Sequence, residues 1–252
     1  MKPLSGKTAL VTGSARGLGL AFARDLATQG ATVVLSDLQA PHDVAQALQQ
    51  EGITAWAVAL DVANAASVEA AFDFIDKQVG GLDILVNNAG IFTSLKPQSI
   101  HDIDMEEWDA VMAVNVRGVF LCSRAAAKRM AIRGYGKIIN IASGTAFKGT
   151  PLFAHYVASK GAVIALTRAL SKELGADGIR VNAVAAGLVM TDNVMANPDI
   201  VNRLLQGSLE SRALSRAQQT DDVTGAVGFL AGPQSDFITG QTLVVDGGSV
   251  TH

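Results

Sequence analysis

The chain has 252 residues, 49% of them hydrophobic and 17% charged, with 25 glycines and one cysteine. At this length a chain buries roughly 70–75% of the surface its unfolded form exposes, so stability requires neither disulfide nor metal. Cys122 has no partner for an internal bridge, which excludes a disulfide-framed secreted module and fits a reducing cytoplasm. The formal charge of −3, without a basic stripe, excludes a protein that coats nucleic-acid phosphates.

The start, Met1 to Gly6, lacks the apolar core of a signal peptide, so no leader is expected. No uncharged apolar run reaches the ~18 residues of a membrane span, so no membrane partner is expected either. One domain over residues 1–252 is expected, because α/β sheets of ~250 residues commonly form one unit.

In chain order, short β-branched runs predict strands at 8–12, 32–36, 55–60, 84–86, 137–141, 180–184 and 243–245. Their apolar composition predicts burial on both faces. Between them, apolar residues at helical spacing predict helices at 18–29, 40–50, 65–78, 105–130, 157–174 and 222–230. Strand and helix alternating this often predict a Rossmann-like, doubly wound parallel sheet of about seven strands with helices on both faces. The alternation lapses between 190 and 219, where polar residues and Pro198 intervene; such an excursion predicts a substrate lid.

The first strand ends in Thr12-Gly13-Ser14-Ala15-Arg16-Gly17-Leu18-Gly19 and runs into a helix. Glycines there let backbone approach a pyrophosphate, and the free N–H groups of the helix start face the anion. Gly13, Ser14, Arg16, Gly17, Leu18 and Gly19 are therefore candidate cofactor contacts. Asp37 closes the second strand eighteen residues after Gly19, with Leu38 beside it. An acid near that offset holds both ribose hydroxyls of NAD and repels a 2′-phosphate, so NAD is expected over NADP. Arg16 is the one nearby cation, and is expected to be a solvated loop charge.

Several motifs in order resemble the short-chain dehydrogenase/reductase family, from about Ser5 to Gly248. They are the glycine loop, Asp61-Val62, Asn87-Asn88-Ala89-Gly90, and a tetrad of Asn115, Ser143, Tyr156 and Lys160 with its Y-x-x-x-K spacing intact. The resemblance implies a nicotinamide-dependent oxidoreductase of CH–OH groups. It implies adenine contacts from Asp61 and Val62, and ribose-side contacts from Asn87, Ala89 and Gly90. It further implies nicotinamide contacts from Gly187, Val189 and Thr191, cofactor contacts from Tyr156 and Lys160, a water-linked proton path through Asn115, and a homotetramer. One departure is visible. The family's usual Pro-Gly after the sixth strand is Ala186-Gly187 here, which predicts a looser turn under the nicotinamide.

Hydride transfer at a carbinol carbon needs a group that exchanges a proton with the substrate oxygen. Tyr156 is the candidate, and Lys160, one helical turn on, is expected to bring its phenol down from the ordinary ~10. Ser143 is expected to bond the same oxygen and polarise it. Other chemistries fit poorly: the four histidines (42, 101, 155, 252) and Cys122 lack metal-ligand spacing, and Ser143 does not sit in G-x-S-x-G. His155 either borders the substrate or is structural.

Segments 91–97, 144–155 and 188–214 should form the substrate pocket. Their Phe92, Phe147, Leu152, Phe153, Leu188, Met190 and Met195 predict a small, largely apolar secondary alcohol or ketone, with Lys148 and Arg203 the nearest charges. The closing segment through Gly248, and the terminal His252, look closest to bacterial dehydrogenases of aryl or cyclic alcohols and pyridoxal. The alternatives are a 3-oxoacyl-carrier-protein reductase, a sugar or polyol dehydrogenase facing Asn193 and Asn197, and a non-enzymatic NAD sensor or scaffold. The carrier-protein alternative expects docking cations where Gly134 and Asp177 stand.

Overall fold

The structure, a computed structural model, describes residues 2–251; Met1 and His252 lie outside the described residues. Seven strands form one parallel sheet in the order β3-β2-β1-β4-β5-β6-β7. They are β1 (Thr8–Thr12), β2 (Thr32–Asp37), β3 (Ala55–Ala59), β4 (Ile84–Asn87), β5 (Gly136–Ser143), β6 (Ile179–Ala186) and β7 (Thr242–Val245). Strand order reverses between β1 and β4. In open α/β sheets the crevice beyond the carboxyl ends of strands at such a switch point binds ligands.

Side chains alternate along each strand into two cores. Ala9, Val11, Val33 and Leu35 face α1 (Gly17–Thr28), α2 (His42–Gln50) and α10 (Asp221–Ala231), packing on Phe22, Leu26, Leu48 and Val227. Leu10, Val34, Leu85 and Ile138 face α3 (Ala65–Gln78), α5 (Val119–Arg133) and α7 (Ala154–Leu174), packing on Phe72, Ile75 and Met130. Each fully buried side chain of this size contributes about 1.5–3 kcal/mol. The predicted two-sided burial is thus present in β1, β4 and β5, whose residues are all buried.

Two helical regions differ from expectation. The helix predicted over 105–130 spans Met105–Arg133, but as α4 (Met105–Met112), a wider π-helical stretch (Ala113–Gly118) and α5. Its mean hydropathy reaches 1.3 over eighteen residues, enough by composition to cross a membrane, yet 56% of that window is buried inside the protein, as in a core helix. The 190–219 excursion also holds regular structure, α8 (Asp192–Met195) and α9 (Pro198–Ser211). Asn197 accepts the Asp199 and Ile200 amides, and Pro198 pre-sets the first turn, so capping chemistry forms a helix where periodicity is weak. Between β5 and α7 lies one further short helix, α6 (Thr145–Lys148).

Candidate active site

The carboxyl ends of β1, β4, β5 and β6 open into a cavity of about 750 Å³. Its floor on one side is the glycine loop. Gly13 has φ of +63°, and a Cβ there would come within 2.9 Å of Ala89 Cα; a Cβ on Gly19 would lie 2.2 Å from the Gly13 carbonyl oxygen. Only glycine allows this approach. Thr12 ties the two loops together, its hydroxyl accepting the Asn88 and Ala89 amides at 3.0 Å, while Asn88 Nδ2 donates to the Thr12 and Gly13 carbonyls at 2.9 Å. The amino end of α1 carries no side-chain cap, and Gly17, Leu18 and Gly19 line the cavity there. Uncapped amides on glycine backbone fit a pyrophosphate.

Asp37 stands at the cavity wall with its oxygens fixed by the Ala15 amide at 3.3 Å and the Leu38 amide at 2.9 Å. Leu38, Asp61, Val62, Ala89, Gly90, Gly187, Val189 and Thr191 line the same cavity, as does the exposed Arg16. Two expected contacts do not. Ser14 is buried with its hydroxyl donating to the Val11 carbonyl at 2.8 Å and accepting the Ser36 amide at 2.9 Å, so it joins β1 to β2. Asn87 is turned into the interior, where Nδ2 donates to Asn140 Oδ1 at 2.8 Å and Ser123 Oγ at 3.0 Å. Asn88, which the sequence reading passed over, occupies the wall instead.

Tyr156 and Lys160 lie on one face of α7, and Ser143 ends β5 opposite them; all three border the cavity. Burial pushes the Tyr156 phenol up to about 12, against the lowering effect of its hydrogen bond with Ser143. Burial thus outweighs the lowering expected from Lys160, whose Nζ donates to the Ile141 carbonyl at 2.7 Å and stands 5.7 Å from the Tyr156 ring centroid. Burial brings Lys160 itself down to about 8. Phe92 stacks on Tyr156 with centroids 4.7 Å apart, covering the ring. Ser143 Oγ accepts the Thr145 amide at 3.3 Å.

Asn115 sits behind the cavity wall, in the π-helical stretch. Its Oδ1 accepts the Ile91 amide at 2.7 Å, and Nδ2 donates to the Ile91 carbonyl and to Ser159 Oγ, both at 3.1 Å. A Cβ on Gly90 would lie 3.2 Å from Asn115 Oδ1 and 3.6 Å from Lys160 Nζ, so the two converge over that glycine.

The turn after β6 is held despite Ala186. Arg212, at the end of α9, donates from Nη2 to the Leu188 carbonyl at 2.9 Å; Gln218 accepts the Met190 amide at 2.8 Å and donates to the Val245 carbonyl at 2.7 Å. These bonds replace the restraint that a proline ring would give. The substrate end also departs from expectation. Phe92 and Leu188 line it, but Phe147, Leu152, Phe153, Met190 and Met195 do not, and Met195 is exposed. Polar side chains, Lys148, Arg203, Asn193, Ser208 and Thr145, line the cavity together with further apolar ones, Ile91, Pro151, Val194 and Leu204. The apolar residues were assigned from segment composition; Phe153 in fact turns into the cluster of Leu95 and Val111 beneath the wall. Asn197, the other polar lid residue, is spent on capping α9 and on the Thr93 carbonyl at 2.8 Å.

A family profile described as Enoyl-(Acyl carrier protein) reductase matches residues 13–250. The 3-oxoacyl-acyl-carrier-protein reductase FabG of Staphylococcus aureus is 37% identical over 245 residues, 96% of this chain and 97% of that protein. The 2-dehydro-3-deoxy-D-gluconate 5-dehydrogenase of Bacillus subtilis is 39% identical over 255 residues, 97% and 95% of the two. A gluconate 5-dehydrogenase from Burkholderia cenocepacia, solved in complex with NADP and tartrate, superposes with a TM-score of 0.89 at 39% identity over 98% of this chain and 96% of that one. With the seven-stranded sheet and the motifs in place, the chain belongs to the short-chain dehydrogenase/reductase family of nicotinamide-linked oxidoreductases.

Proposed function

We propose that this enzyme oxidises a CH–OH group of a small polar substrate bearing an anionic end, in the size range of a sugar acid, with NAD as hydride acceptor. The observation that carries the reading is the single cavity in which Tyr156, Ser143 and Lys160 meet the glycine loop on one side and Lys148, Arg203 and Asn193 on the other. Lys148 donates to the hydroxyls of Ser211, at 3.1 Å, and Ser249 and forms no ion pair among the described residues, the Asp246 carboxylate acting on it only from further off; its charge is therefore in reach of an incoming anion. The relatives named for gluconate and deoxygluconate support the same substrate class. The aryl or cyclic alcohol reading would use Ile91, Phe92, Leu188, Val194 and Leu204, which line the same cavity, but it leaves Lys148 and Arg203 without a role.

Bound NAD supplies the hydride acceptor and, at its positively charged ring, a field that favours the phenolate. Tyr156 takes the proton from the substrate hydroxyl, and Ser143 donates to the same oxygen. Lys160, held on Ile141, keeps a cationic group one turn from the phenol, and Asn115 holds the wall of the proton path at Ile91. Asp37 favours NAD through repulsion of a 2′-phosphate.

We read residues 1–252 as one cytoplasmic domain with a lid at 190–219. Its partner is the small substrate, with neither nucleic acid nor membrane. We take the assembly as a homotetramer, on the apolar groove that Met112, Val116, Phe120, Ala165 and Leu166 form along α4, α5 and α7. The function is tested by NADH-coupled turnover of three sets: aldonates and short hydroxy acids, aryl and cyclic alcohols, and acetoacetyl-carrier protein with NADH or NADPH. Fastest turnover of the hydroxy acids is expected. Preference for either other set overturns the substrate reading.

A further inference from the structure

Three features around the start of α7 have no part in the proton transfer described above. His155, directly before Tyr156, is fully buried; Nε2 donates to Glu107 Oε1 at 3.1 Å and Nδ1 has no partner. Glu107, in the first turn of α4, also accepts from Gln98 Nε2. Gln98 in turn donates its amide to the Leu152 carbonyl at 3.0 Å. Leu152 has φ of +70°, the sole positive value at a non-glycine among the described residues. Residues with a Cβ avoid that region unless the surroundings hold them there.

The connections converge on one object. Gln98 belongs to the loop after β4 that carries Phe92, and Phe92 stacks on the Tyr156 ring. Thr150 and Pro151, just before the strained Leu152, line the cavity. His155 precedes Tyr156 in the same helical turn. Leu95, Val111 and Phe153 form an apolar cluster with Tyr156, against which Leu152 packs. A buried ring nitrogen without a partner is a cost. The fold carries it in order to set Nε2–H against Glu107.

We propose that Glu107 and His155, joined by Gln98, are positioning residues: they pin the strained segment 151–153 and the loop 91–99 to the catalytic helix, so that Tyr156 and Phe92 hold their places at the reacting centre. The inference rests on the dehydrogenase reading of Tyr156. Glu107 is partly exposed, so substitutions there leave the core intact.

The test compares Glu107→Ala and Glu107→Gln with the wild-type enzyme, using kcat and both KM values, together with amide hydrogen exchange of the peptide covering 150–157. Glutamine keeps the acceptor oxygen for His155 Nε2–H. In Glu107→Ala, kcat should fall about tenfold or more, cofactor KM should stay within about twofold, and 150–157 should exchange faster. In Glu107→Gln, kcat and protection should stay within about threefold of wild type. Wild-type kcat and protection in Glu107→Ala overturn the proposal, as does equal loss in both variants. A wild-type enzyme without turnover on any substrate would sink the function reading, while the exchange data still decide whether Glu107 pins the segment.

Discussion

Lys160 Nζ donates to the Ile141 carbonyl at 2.7 Å, which anchors the lysine of the tetrad to the end of β5 rather than to the phenol it serves. Burial brings this amine down to about 8, below the ordinary lysine range, so the folded enzyme binds it less readily as a cation than the unfolded chain does. The charged form therefore carries a burial cost that is full below pH 8 and fades as pH rises from about 8 toward the unfolded value. Lys160→Met removes that cost together with the bond to Ile141, so the difference in melting temperature from the wild type should be more favourable to the variant at pH 6 than at pH 9.5, while useful turnover is abolished. Thermal melts of the two proteins at both pH values check this.

Tyr156→Phe should reduce kcat by at least about a thousandfold and leave cofactor affinity within about twofold, because the ring and its stacking on Phe92 are kept while the proton acceptor is lost. The phenol lies raised toward 12 in the free enzyme, so its base form is a minority at neutral pH. Alcohol oxidation should accordingly climb with pH between 7 and 10, in log kcat/KM. A flat profile in the wild type would remove Tyr156 from its role.

The proposed preference for NAD rests on Asp37, whose oxygens are fixed by the Ala15 and Leu38 amides at the cavity wall. Wild-type kcat/KM should favour NAD over NADP by about tenfold or more, and Asp37→Ala should narrow that ratio chiefly through better use of NADP. An NADP preference in the wild type would mean that Arg16 governs the site.

Lys148→Ala and Arg203→Ala should each raise KM for a hydroxy acid by roughly tenfold, with kcat within about threefold, since these cations line the cavity and are proposed to meet the substrate anion. The same variants should treat an uncharged alcohol as the wild type does. Parallel loss on both substrate types would show that the residues shape the lid rather than meet an anion.

Arg212→Met removes the donor that holds the Leu188 carbonyl at 2.9 Å while keeping most of the buried volume. Cofactor KM should rise by about fivefold, and the melting temperature should drop by a few degrees, because the unpaired carbonyl and a freer turn replace the restraint. An unchanged cofactor KM would show that β6 and β7 alone hold the turn.

Much of this protein is determined by local sequence. Apolar β-branched runs such as 8–12 and 84–86 read as two-sided strands, Gly13 and Gly19 as a close backbone approach, and the four-residue step from Tyr156 to Lys160 as one shared helical face. Those are consequences of backbone geometry and period, which neighbouring residues carry by themselves. Which way a polar side chain turns is a different matter, since it depends on partners distant in the chain. Asn87 looks inward to Asn140, fifty-three positions on, and leaves the wall to Asn88. Lys160 is drawn to Ile141, and burial pushes the Tyr156 phenol up rather than down. Phe153 turns into its own cluster, while Lys148 and Arg203 line the cavity. The turn that sequence alone predicts to be loose at Ala186 is held by Arg212, twenty-six residues later, because only the packing of segment 190–219 brings that guanidinium to it.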